Sequence, residues 1–125
     1  MQKLVFESTE ETPSVILDKD KGTFDISGKS FMEDVQEYYE PIISWLKEYR
    51  QNPNPETVFN FEVEYINTAS SKMFLDVLIE LENIHRDGNK VQVIWKYRED
   101  DEDMESTGYE FQEMFDVPFE FKQVS

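Results

Sequence analysis

The run Tyr65-Ile66-Asn67-Thr68-Ala69-Ser70-Ser71-Lys72 joins the most strand-like part of the chain to its most helix-like part. Upstream, Val58, Phe59, Phe61, Val63, Tyr65 and Ile66 supply β-branched and aromatic residues, with Glu62 and Glu64 alternating against them. That two-residue period marks a strand with one wet face. Downstream, Met73, Phe74, Val77, Leu78, Leu81 and Ile84 recur at helical spacing from about Ser70 onward. A strand that passes through a polar turn into a helix gathers free backbone N–H groups and hydroxyls at one exposed point, where the helix dipole favours negative charge. Such a point suits a phosphate, whether bound or covalently attached.

Working outward, Leu4-Val5-Phe6 reads as an edge strand, followed by the polar connection Ser8 to Pro13. Ser14 to Asp18 and Thr23 to Ser27 flank Lys19-Asp20-Lys21-Gly22, the pattern of a hairpin, with both arms expected at the edge of a sheet. Ser30 stands three residues before Glu33 in capping-box spacing, which predicts a helix starting near Phe31. Val35, Tyr38, Tyr39, Ile42, Trp45, Leu46 and Tyr49 form its apolar face. Pro41 lies within the run and predicts a kink or two abutting helices, and Asn52-Pro53-Asn54-Pro55 ends it.

Beyond the central helix, which Gly88 should stop in a left-handed conformation, Val91 to Tyr97 read as a strand. Glu99 to Asp103 read as a loop or helix lead-in, Tyr109 to Phe115 as a short helix, and Val117 to Lys122 as a closing strand. Alternating strands and helices favour parallel neighbours joined by right-handed crossovers. The expected fold is α/β: a mixed sheet of four to six strands with helices mostly on one face, in one domain over residues 1–125.

With 28 Asp and Glu against 12 Lys and Arg, the formal charge is -16, which repels nucleic acid and anionic membrane surfaces. A protein partner with a basic face is the natural complement, although a solvated acidic surface needs none. Aromatic residues make up 14% of the chain, enough to build a core despite the charge. There is no Cys, which removes disulfides and thiolate metal sites. The N-terminal run turns acidic too soon for a secretory leader, and no apolar stretch approaches the ~20 residues of a membrane span. These features fit a cytoplasmic protein.

Thr68, Ser70 and Ser71 are the candidates for modification, and the commoner role for Thr68 or Ser70 at such a junction is to cap the helix. Asn67 would hold the turn. The acidic run Glu99 to Asp103, with Glu105, could offer oxygen ligands to a divalent ion, but it lacks EF-hand spacing and its turn glycine, so a solvated loop is the simpler reading. His85 is the single histidine, near a helix C-terminus, where it would meet free carbonyls. No nucleophile elbow, P-loop or dinucleotide glycine pattern occurs. A non-catalytic binding module without a cofactor is therefore preferred to a metal-dependent enzyme or a constitutive assembly subunit. Tyr38, Tyr39, Trp45 and Tyr49 could form a recognition patch, with core packing the default.

Thr12-Pro13, Ile26-Ser27-Gly28, Tyr39-Glu40-Pro41 before Trp45-Leu46, the Tyr65 to Lys72 run, Val93 to Tyr97, Asp100 to Met104 and Val117-Pro118-Phe119 occur in one order. Together they resemble the SiaC-type family of bacterial regulatory phosphoproteins, across nearly the whole chain. The resemblance implies a STAS-like fold, similar to anti-sigma factor antagonists, acting in a partner switch. In such a switch a Ser/Thr protein kinase phosphorylates the small protein and a PP2C-type phosphatase reverses it. The family's phosphorylated threonine falls on Thr68, with Asn67, Ser70 and Ser71 supporting it. In the best-known branch the unphosphorylated form activates a diguanylate cyclase and so controls cyclic-di-GMP and biofilm behaviour. Phe31-Met32-Glu33-Asp34 replaces the family's common Tyr-Pro-Glu-Asn and alters the rim of a docking surface, and Ala69 stands where Ser is common.

Overall fold

A computed structural model describes residues 1–124. The elements, in chain order, are β1 (Leu4–Phe6), β2 (Ser14–Asp18), β3 (Thr23–Ser30), α1 (Val35–Arg50), β4 (Glu56–Ile66), α2 (Thr68–Arg86), β5 (Lys90–Arg98), α3 (Glu102–Met114) and β6 (Phe119–Val124). The six strands make one sheet in sequential order, β1 to β6. The first three are antiparallel neighbours, whereas β3, β4, β5 and β6 run parallel. Each parallel step carries one helix, and right-handed crossovers along a sheet that never reverses direction place all those helices on one side.

The register shows which side is covered. Phe24 lies beside Phe59, and Phe59 beside Val93; Ile26, Phe61, Trp95 and Phe121 form the next row. α1 lays Trp45 and Tyr49 against Phe24, α2 lays Phe74 against Phe61, and α3 lays Phe111 against Trp95. Aromatic rings thus bridge all three helices to one face, where each large ring removes much apolar surface from water. The opposite row, Ile16, Asp25, Asn60, Ile94 and Glu120, contains no buried residue.

Four expectations need correction. The hairpin of β2 and β3 is interior, because β1 takes the edge and β4 pairs with β3. The first helix starts at Val35 rather than near Phe31: Ser30 is wholly buried, and Asp34 caps instead, its Oδ1 accepting the Glu37 N–H at 3.1 Å. Pro41 lies inside one uninterrupted α1, on its exposed side. The last helix is also longer than Tyr109 to Phe115, since the acidic run forms its start: Asp101 caps it, and Glu102, Asp103 and Glu105 occupy the first turn, where carboxylates complement the dipole.

Tyr39, Trp45 and Tyr49 are core residues and Tyr38 is half-buried. Among the described residues, no helix is long and apolar enough to cross a membrane.

Candidate functional site

The C-terminal ends of β3 and β4 meet the start of α2, and a small glycine irregularity sets their relation. Gly28 pairs with Val63, but Lys29 pairs with Tyr65, so β4 carries one extra residue. Gly28 has φ +108°, a conformation other residues rarely adopt, and an added Cβ would come 3.6 Å from Pro13 Cα. The Asn67 N–H then donates to Ser30 O at 3.1 Å, which fixes where β4 stops.

Asn67 begins α2. With extended backbone (φ -87°, ψ 173°), its Oδ1 accepts the Ser70 N–H at 2.8 Å, and its carbonyl accepts the Ser71 N–H at 3.0 Å. The N–H groups of Thr68 and Ala69 precede that first intrahelical bond and belong to the orphan donors of the helix end. Unlike α3, α2 has no acidic residue in its first turn, so that turn supplies no side-chain anion to its positive end.

The hydroxyls of this stretch have different fates. Thr68, the first helical residue, is exposed. Ser71 is half-buried. Ser70 has no exposed surface, and the helix-capping role expected of Thr68 or Ser70 is filled by Asn67. Ser70 instead ends a buried relay: Ser30 Oγ donates to Ser70 Oγ at 2.7 Å and lies 2.6 Å from Tyr39 OH. With the Ser30 proton committed to Ser70, Tyr39 is the donor to Ser30, and Ser70 turns its own proton toward Met32 Sδ at 3.9 Å. Burial raises the Tyr39 pKa well above the ordinary phenol value, keeping that donor protonated. The relay ties β3, α1 and α2 together beneath Thr68.

Two residues on the strand ends that lead to Thr68 are exposed aromatics: Tyr65 precedes it by three positions, and Phe31 follows Ser30, whose carbonyl accepts the Asn67 N–H. Phe31 (37% exposed) and Tyr65 (51% exposed) meet edge to face, with ring centroids 5.6 Å apart. Sequence periodicity does not reveal this pair, because it places Phe31 at a helix start and Tyr65 among the apolar residues of a strand, alternating with Glu62 and Glu64. Beyond Met32, an open groove of about 680 Å³ is lined by Val5, Phe6, Thr12, Tyr38 and three carboxylates.

His85 does not serve the last carbonyls of α2. Those accept from the backbone of Asp87, Gly88 and Asn89, while His85 Nδ1 is buried without a hydrogen-bond partner among the described residues. Among the described residues, no three His, Asp or Glu side chains converge where a metal ion could sit.

Fold and site together define an α/β module with an exposed threonine at the start of α2 and an exposed aromatic pair on the strand ends that precede it. The family model described as SiaC family regulatory phosphoprotein matches residues 6–124, and the chain belongs to that family. Crystalline apo-SiaC from Pseudomonas aeruginosa is similar at 27% identity and a TM-score of 0.89, over 98% of this chain and 99% of that one. The complex of the diguanylate cyclase SiaD with its activator SiaC, also from Pseudomonas aeruginosa, gives 26% identity and a TM-score of 0.89, covering 97% and 99%. An uncharacterized protein of Pseudomonas aeruginosa strain UCBPP-PA14 is 28% identical over 119 residues, 95% of this chain and 94% of the relative.

Proposed function

We propose that this chain is a partner-switching protein, which docks on a target when unmodified and is released when Thr68 is phosphorylated. The observation that carries the reading is the exposure of Thr68 at the start of α2, directly after the strand end that carries the exposed Tyr65. A Ser/Thr kinase would transfer the γ-phosphoryl group of ATP to Thr68 Oγ1, releasing ADP and a proton; a PP2C-type phosphatase would return the hydroxyl using water. The phosphate brings about −1.5 to −2 charges at neutral pH. It would sit where the first turn of α2 has no anion, so the helix tolerates it while the exposed end of the molecule at Thr68 gains a hydrated charge. A partner burying Thr68 along with Tyr65 would then have to desolvate that charge.

The target proposed is a diguanylate cyclase, in the cytoplasm where ATP is available. SiaC forms such a complex with SiaD, and this chain shares its fold along nearly its full length. The test is incubation with the cognate kinase and ATP, residue-level mass spectrometry, and cyclase pull-down before and after. Thr68→Ala should keep target binding and resist the kinase, and Thr68→Asp should weaken binding. Phosphate found wholly on other residues, or undiminished binding by the phosphorylated chain, would overturn the proposal.

A further inference from the structure

The groove beyond Met32 lies at the same end of the molecule as Thr68 but does not include it. Its apolar surface comes from Val5 (48% exposed) and Phe6 of β1, from Met32, and from the Tyr38 ring. Its charge comes from Glu7 after β1 and from Asp34 and Glu37 at the start of α1; among the described residues, no Lys or Arg lines it. The walls are preformed. Tyr38 OH donates to Pro13 O at 2.6 Å, the Phe6 and Tyr38 rings pack at 5.2 Å, and the Phe31 N–H holds Glu11 O at 3.0 Å. A site already in its bound shape loses little order on binding.

We propose that this groove is a second docking surface, for a partner polypeptide segment that inserts one apolar side chain and flanks it with lysine or arginine. Charge complementarity selects that occupant. An apolar floor rewards burial of a leucine- or phenylalanine-sized group, while three carboxylates with no cation among the lining residues disfavour anions and steer cations in. A neutral apolar segment would leave those carboxylates partly desolvated and unpaired. The surface holds whether or not Thr68 is modified, because the groove is built without that hydroxyl. Met32 is common to both regions: it lines the groove, and its carbonyl accepts a long hydrogen bond from Asn67 Nδ2 at 3.5 Å.

The experiment uses the full chain and a fluorescein-labelled peptide, Arg-Lys-Leu-Lys-Arg, followed by anisotropy at physiological salt. Two control peptides replace the leucine by serine, or the four cations by glutamate. Glu7→Gln with Glu37→Gln should weaken the leucine peptide about tenfold, whereas Glu110→Gln with Glu113→Gln, removing the same charge from the exposed side of α3, should change it less than about twofold. Val5→Ser should weaken the leucine peptide and leave the serine peptide unchanged. Thermal melts establish that each variant is folded. Equal weakening by the two double variants would mean diffuse attraction to an acidic protein, and would overturn the proposal, as would equal affinity for leucine and serine peptides or no binding. Self-association lost in Glu7→Gln with Glu37→Gln, without peptide binding, would assign the groove to a second copy of the chain and equally overturn it.

Discussion

Thr68 and Ser70 differ by one methyl group and two positions, yet one faces solvent and the other is sealed beneath α2. Removing each should therefore have unlike costs. Thr68→Ala should move stability by no more than about 0.5 kcal/mol, as exposed substitutions do. Ser70→Ala removes the acceptor of the Ser30 proton and should cost about 1–2 kcal/mol in urea denaturation. Equal midpoints for the two variants would contradict the relay. The difference was available in the sequence: helical spacing carried back from Met73, Phe74 and Val77 places Ser70 on the inward face and Thr68 outside it. The exposed aromatic pair left no such signal. Gly108 was equally silent, since its role is tertiary. A Cβ there would meet Trp95 Cδ1 at 2.5 Å and Phe121 Cε1 at 2.8 Å, so Gly108→Ala should destabilise the chain by about 1–3 kcal/mol and disturb Trp95 fluorescence.

Among the elements, strands were read most securely, because alternation in β2 to β5 is clean and the Gly22 turn is explicit. Helix starts failed where two residues competed for a cap. Ser30 has capping spacing to Glu33, but its hydroxyl is drawn inward by Tyr39 and Ser70, which passes the cap to Asp34. The α2 cap follows the commoner rule, and Asn67→Ala should cost about 1 kcal/mol in thermal or urea unfolding. A second anchor had no sequence signature. Glu82, on the buried side of α2, accepts the Asp116 N–H at 2.9 Å and the Val117 N–H at 2.8 Å, pinning the turn between α3 and β6. Glu82→Ala leaves both donors without it and should cost about 2–3 kcal/mol, with faster hydrogen exchange at Val117. Glu82→Gln keeps one acceptor oxygen and should cost less.

For the molecule as a whole, sequential strand order followed from repeated strand-helix-strand units, and the covered face followed from the aromatic register. Which phenols it seals was less legible. Burial raises the Tyr38 pKa from 10.0 to about 12, and raises that of Tyr39 further. The folded state thus holds these protons more tightly than the unfolded chain. Their contribution is complete below about pH 10 and declines as pH rises toward the folded values. Thermal midpoints should be insensitive to these groups near neutrality and fall above pH 10, with a shallower fall in Tyr39→Phe. Finally, the uncovered side of the sheet has a practical consequence. The chain contains no thiol, so Lys96→Cys, on the uncovered side of β5, would create a unique attachment point. A dye there could report arrival and departure of a macromolecule at the opposite layer while leaving the contact surfaces chemically untouched.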